Sequence, residues 1–245
     1  MANPPPTAYL WTKEGDDSFS REDKYLRLAN ISHVDSGVYT CSVTNVLTPT
    51  HGVASTRTSN SSTTIAVKHA PGMSRVVQSG AEAGDRVVGA EMVGVAGRPV
   101  SMDCETTPPG YPAPQYKWWR TNTPSEILGT QMTLTLQQLR LEDGASYSCQ
   151  ALNHLGRGQP GFATLRVLQV PRMMSSLPKE MTRRSGETGV SVTCKARGKP
   201  APSVVWMFNN KVLDDSKEYL YTVNTSTLDN RNEQSVIVMS TLYFR

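Results

Sequence analysis

Apolar and polar residues alternate with a period of two along much of this chain, as in Met132-Thr133-Leu134-Thr135-Leu136 and Val190-Ser191-Val192-Thr193-Cys194. That is the pattern of strands with one buried and one solvated face. Clusters of Gly, Pro, Asn and Asp separate these segments at short spacing and act as turns. No window of a dozen residues carries the apolar stripe of a helix. The pattern predicts an all-β chain built of sandwiches. The longest apolar stretch, Val236 to Phe244, is broken by Ser240 and Thr241 and falls short of the roughly 18 residues a membrane helix needs.

The pattern also repeats. Asn3-Pro4-Pro5-Pro6-Thr7-Ala8-Tyr9-Leu10-Trp11 resembles Gly110-Tyr111-Pro112-Ala113-Pro114-Gln115-Tyr116-Lys117-Trp118, and recurs as Gly198-Lys199-Pro200-Ala201-Pro202-Ser203-Val204-Val205-Trp206. The tryptophans stand 107 and 88 residues apart, a domain-sized period rather than that of a solenoid. Cys41 follows Trp11 by 30 positions and Cys149 follows Trp118 by 31. Leu26, Leu28 and Ile31 precede the first cysteine at the offsets at which Leu134, Leu136 and Leu139 precede the second. Three copies of one module are expected: residues 1–69, 72–169 and 170–245, joined by His69-Ala70-Pro71-Gly72 and Gln169-Val170-Pro171-Arg172. The 245-residue length accommodates this number.

Composition narrows the function. The net charge of +4 comes from the last third, where residues 170–245 hold eleven basic and seven acidic side chains, whereas the rest is balanced. With aromatics at 7% and no basic stripe, a nucleic-acid partner is excluded. The first twenty residues lack the basic start, apolar run and small-residue cleavage site of a secretory leader, so the chain reads as starting inside a module.

The carrying residues now place the sequence. Cys104, Trp118, Asp143, Tyr147 and Cys149 in the middle copy, Trp11, Asp35, Gly37, Tyr39 and Cys41 in the first, and Cys194 and Trp206 in the third resemble immunoglobulin-superfamily domains, in detail the I-set type of cell-adhesion receptors. The resemblance implies two packed sheets pinned by a Cys104–Cys149 disulfide. It also implies core tryptophans at Trp11, Trp118 and Trp206, and a Tyr147 hydroxyl bonded back to its corner. Trp119, of opposite parity to Trp118, faces outward and reads either as an ordinary sheet-face residue or as part of a contact surface. Cys41 and Cys194 are left unpaired, the first and third copies reading as truncated and the middle one as complete. A zinc site would need close cysteine pairs, and the nearest two here are 45 residues apart.

Three N-glycosylation acceptors occur at Asn30, Asn60 and Asn224, Asn60 in a Ser/Thr-rich stretch that reads as an exposed hairpin. With the paired-cysteine pattern they favour an extracellular setting. Arg183, Arg184, Lys195, Arg197 and Lys199 read as a solvated sheet edge or as a patch for sulfated glycans or an acidic partner. Gly156-Arg157-Gly158-Gln159-Pro160-Gly161 matches a dinucleotide fingerprint, but an alternating strand follows instead of a helix, so it reads as a hairpin turn. His33, His51, His69 and His154 fall in separate turns and a linker, and Asp16-Asp17 and Asp214-Asp215 in turn-like segments where Asp is favoured for backbone reasons. No catalytic constellation and no cofactor are expected.

What the resemblance implies is a piece of the ectodomain of a membrane-attached multi-domain adhesion or recognition receptor, similar to nephrin-like or echinoid-like proteins. Such a protein binds cell-surface proteins in cis or trans, often homophilically. The alternative is an intracellular structural array of the muscle-filament type, in which the cysteines stay reduced. A receptor kinase whose catalytic part lies outside this sequence is a third reading.

Overall fold

A computed structural model describes residues 8–80, 91–213, 221–230 and 234–244. Most of the proline-rich opening and Asp214-Asp215 lie outside the described residues. Within them the regular backbone is strand, with short 3₁₀ turns at His33–Asp35 and Leu141–Asp143. The chain divides into two compact units.

The first unit is built on β1 (Ala8–Lys13), β2 (Asp16–Arg21), β3 (Gly37–Leu47) and β4 (Ser55–Ile65), an antiparallel sheet in the order β2-β1-β3-β4. The two-residue turn from β1 to β2 places Gly15 at φ 75°, a left-handed conformation that glycine adopts without steric cost. Trp11 stands opposite Cys41 and Cys41 opposite Ser61. Tyr39 is the best buried residue of this sheet. Its hydroxyl donates to the Asp35 carbonyl at 2.9 Å, and Phe19 meets its ring edge-on at 5.3 Å. Trp11, its indole N–H donating to the Asp23 carbonyl at 3.1 Å, is only half-buried.

This unit also takes in Thr106–Pro114 and Leu152–Gly158, which hold the segment following β4. His69 and Tyr111 exchange backbone hydrogen bonds at 2.8 and 3.0 Å, and Gly72 N–H donates to the Pro108 carbonyl at 2.8 Å. The Asn153 amide donates to the carbonyls of His69 and Pro112.

The second unit contains most of the body of the middle module: β5 (Met73–Gln78), β6 (Glu91–Val95), most of β7 (Val100–Thr107), β8 (Gln115–Arg120), β9 (Thr133–Leu136), most of β10 (Ser146–Asn153) and β12 (Gly161–Met173), while β11 (Gly156–Arg157) falls in the first unit. One sheet runs β5-β7-β9; in the other, β12 lies between β10 and a parallel β6, and β8 borders β10. Between the sheets the Cys104 and Cys149 sulfurs are bonded at 2.00 Å. Trp118, Met102, Leu139, Leu165 and Val167 fill the surrounding core, each at most 2% exposed. The indole of Trp118 donates to the Gln131 carbonyl at 2.9 Å, so its one polar atom is satisfied where burial would otherwise make it costly.

The rest of this unit is β13 (Ser191–Lys199), β14 (Met207–Phe208), β15 (Lys211–Val212), β16 (Tyr221–Asn230) and β17 (Ser235–Phe244), with β13-β17-β16 forming one antiparallel run. Gln169-Val170-Pro171-Arg172 is not a free linker. It is the end of β12, which pairs with β13 at Gln169↔Lys199 and Arg172↔Arg197. Pro171 falls where the register shifts, so its missing N–H interrupts no regular ladder. Cys194, Ala196, Val238, Ser240 and Leu242 form the buried face, where Trp206 donates to the Ser240 hydroxyl at 2.9 Å. Trp206 itself remains half-buried.

Candidate recognition surface

Strand alternation puts Trp118 into the middle core and turns its neighbours Lys117 and Trp119 to the opposite face. On β10 that face carries Ser146 and Ser148, and on β12 Phe162 and Thr164, paired as Ser146↔Thr164 and Ser148↔Phe162. Phe162 is 64% exposed on a strand whose alternate residues are buried. Trp119 is half-buried, with the Lys117 ammonium 5.9 Å from its ring centroid. The polar ground of this face is satisfied internally: Thr121 bonds Ser148 at 2.8 Å and Ser146 bonds Thr164 at 2.9 Å. At the β6 edge Arg166 pairs with Glu91 at 3.1 Å, beside the exposed Val93. Two aromatics on satisfied hydroxyls, rimmed by charge, match the composition of a protein-contact patch.

The start of β10 is fixed by the corner beneath it. Tyr147 donates to the Asp143 carbonyl at 2.8 Å, while the Asp143 carboxylate accepts from Arg120 at 2.9 Å and from the Arg140 N–H at 2.8 Å. Burial pushes the Tyr147 phenol pKa above 10.0, and the Arg120 guanidinium opposes that shift.

Gly156–Gly161 does not form the turn itself. The chain reverses at His154-Leu155, and the glycines lie on the returning arm. A Cβ on Gly158 would sit 2.1 Å from the Gly72 carbonyl oxygen, and one on Gly161 2.4 Å from that of Ser74. These glycines therefore serve backbone approach. The arm pairs Leu152↔Arg157 and then Cys149↔Gly161, a one-residue bulge that takes the Ala151 N–H out of the regular ladder. The buried Ser74 hydroxyl receives that N–H at 3.2 Å. Sequence spacing gave no sign of Ser74.

Asn30 is exposed at φ 52°. Asn60 lies on the outer arm of the β3–β4 hairpin, mid-strand, opposite Ser42, and Asn224 lies on β16 opposite Thr241; both are exposed. Cys41 is half-buried and Cys194 buried, both as free thiols. The five basic residues differ in their surroundings. Lys195, Arg197 and Lys199 alternate along the solvated face of β13, whereas Arg183 and Arg184 bind within their own segment, to Thr182 and Glu187. The His33 and His69 rings, distant in sequence, come to 5.2 Å. Among the described residues no three His, Cys, Asp or Glu side chains are grouped to hold a metal, and no helix is long and apolar enough to cross a membrane.

Two family models match, an immunoglobulin domain over residues 88–153 and an immunoglobulin I-set domain over residues 171–234. The chain belongs to the immunoglobulin superfamily. It is similar to protein sidekick of Drosophila melanogaster, 29% identical over 155 residues, covering 60% of this chain and 7% of that protein. It is likewise similar to hemicentin-1 of Mus musculus, 28% identical over 229 residues, covering 88% and 4%. The chain thus spans less than a tenth of the length of either. Among solved structures, the full ectodomain (Ig1–Ig3) of mouse nectin-like molecule 4 aligns over 73% of this chain and 58% of that one, with 20% identity and a TM-score of 0.44.

Proposed function

We propose that this chain is a segment of the ectodomain of a membrane-attached multi-immunoglobulin adhesion protein of the nephrin-like or echinoid-like kind. It binds cell-surface proteins in cis or trans through the outward face of β8, β10 and β12. The observation that carries the reading is the aromatic pair, Trp119 and Phe162, on a solvated face whose hydroxyls are already satisfied. Truncating such anchors typically costs about 2 kcal/mol or more of binding. Similarity to sidekick and hemicentin-1, the bridged core and three exposed acceptor asparagines support the extracellular location. The role is binding, without catalysis, cofactor or nucleic acid, and the modules of this reading are 1–69, 72–169 and 170–245.

The test is a soluble fusion of the chain, made through the secretory pathway and applied to cells displaying the same chain. Trp119→Ala with Phe162→Ala is expected to weaken cell binding at least about tenfold, a loss of about 1.4 kcal/mol. Glycan on Asn60 and an intact Cys104–Cys149 bond are expected in the same material. Unchanged cell binding by the double variant overturns the face assignment. Bare asparagines and reduced cysteines favour the intracellular filament alternative.

A further inference from the structure

Where β12 passes into β13, a cavity of about 460 Å³ opens, lined by Ala96, Arg140, Leu141, Glu142, Gln169, Arg197, Gln234 and Ser235. Its volume lies in the range of about 300–1,000 Å³ usual for small-ligand sites. Two of its polar groups lack a protein partner. The Ser235 hydroxyl belongs to a residue only 1% exposed and makes no hydrogen bond, and the buried Gln169 side-chain oxygen makes none either. A buried hydroxyl without a partner costs about 1–3 kcal/mol, so a group that accepts from the Ser235 hydroxyl is favoured there.

The charge around the cavity says what that group is. Arg140 and Arg197 line it, and among the described lining residues the carboxylate is Glu142, which Arg140 meets at 3.2 Å. Outside the cavity, Arg172 stands opposite Arg197, and Lys199 opposite Gln169, so the wall continues as a basic strip on the same face as Lys195. Ser235 supplies a donor, and the Gln169 amide supplies donors when rotated. Guanidinium groups beside these donors suit the tetrahedral oxygens of a sulfate or phosphate group, and the strip outside suits a polymer that repeats such groups.

We propose that this cavity and the strip beside it bind an anionic oxyacid ester carried on a sulfated glycan chain. Arg140, Arg197, Ser235 and Gln169 hold one ester group, and Arg172, Lys195 and Lys199 follow the chain. The site is separate from the aromatic face, so either reading can fail alone. It also differs from the sequence expectation, because Arg183 and Arg184 are excluded and Arg140 and Arg172 enter.

The 245-residue chain would be titrated at about 150 mM salt with a heparin-type oligosaccharide, its desulfated counterpart, inorganic sulfate and inorganic phosphate. The sulfated oligosaccharide is expected to bind at least about tenfold more tightly than the desulfated one. Arg140→Ser with Arg197→Ser is expected to weaken it about tenfold, and Ser235→Ala about threefold without lowering the melting temperature. Arg183→Ser with Arg184→Ser is expected to change it less than about twofold. Arg197→Lys, which keeps charge but not the planar fork, should fall between wild type and the double Ser variant. Equal losses from the Arg183/Arg184 pair would show diffuse charge attraction and overturn the site, as would equal binding of the desulfated chain. Phosphate binding as tight as that of the sulfated oligosaccharide would overturn the glycan assignment.

Discussion

The first and middle modules contain the same corner but not the same core. In each, a tyrosine two positions before a cysteine donates to an aspartate carbonyl four residues earlier: Tyr39 to Asp35 at 2.9 Å and Tyr147 to Asp143 at 2.8 Å. In each, the strand tryptophan donates to a backbone carbonyl downstream. Yet Trp118 is fully buried between two sheets and Trp11 only half-buried on one. The corner is local, so it forms wherever its dozen residues are present. The core is non-local, because its burial requires a second sheet carrying the partner cysteine. The basic residue two places after each tryptophan shows the same split. Arg120 makes an ion pair with Asp143, while Lys13 donates to the Val34 carbonyl and sits over the Tyr39 ring.

The largest effect should come from the disulfide. Replacing Cys104 and Cys149 with Ala removes a cross-link closing a loop of 45 residues, worth about 4 kcal/mol on the chain-entropy model. The denaturation midpoint of the middle module should fall accordingly, while the thiol reactivity of Cys41 stays unchanged. A fall shared equally by the first module would show that the two cores are coupled.

Smaller effects follow at the corners. Tyr147→Phe removes a hydrogen bond from a core closed on both sides and should cost about 1–2 kcal/mol. Tyr39→Phe removes the equivalent bond to the equally half-buried Asp35 and should cost about the same. Clearly unequal costs in thermal melts monitored module by module would contradict the equivalence of the two corners. Arg120→Met breaks a partly exposed pair and should cost about 1 kcal/mol or less.

The smallest effect is on pH dependence. Burial raises the pKa of Tyr147, and of Tyr116, above the ordinary 10.0. Folding therefore favours the neutral phenols. Their contribution is complete below about pH 10 and is lost as pH rises through the raised values. The middle module should lose stability above pH 10 in denaturant titrations, and Tyr147→Phe should flatten that loss.

Much of this was legible because it rests on period and offset. The parity separating Trp118 from Trp119 follows from strand alternation alone, whereas the Tyr147 corner came with the immunoglobulin resemblance. What escaped depends on contacts distant in sequence. Ser74 receives the Ala151 N–H across 77 positions, His33 meets His69 across two loops, and Ser235 and Arg140 share a cavity. The glycines at 156–161 read as a hairpin turn, but the turn lies at His154-Leu155, and Gly158 and Gly161 serve close approach of the chain's own carbonyls. Charge density along a sequence likewise carries no information about which residues share a strand face, as Arg172 and Arg197 do.

The central claim is that the outward face of β8, β10 and β12 is the contact surface. Beads coated with the chain should be scored for aggregation after a single charge is placed on each sheet in turn, as Phe162→Arg on this face and Thr135→Arg on the exposed face of β9. The account predicts that Phe162→Arg abolishes aggregation and Thr135→Arg leaves it at the wild-type level, with both variants melting within about 0.5 kcal/mol of the parent as surface substitutions do. Aggregation that survives Phe162→Arg and disappears with Thr135→Arg would contradict it and move recognition to the opposite sheet.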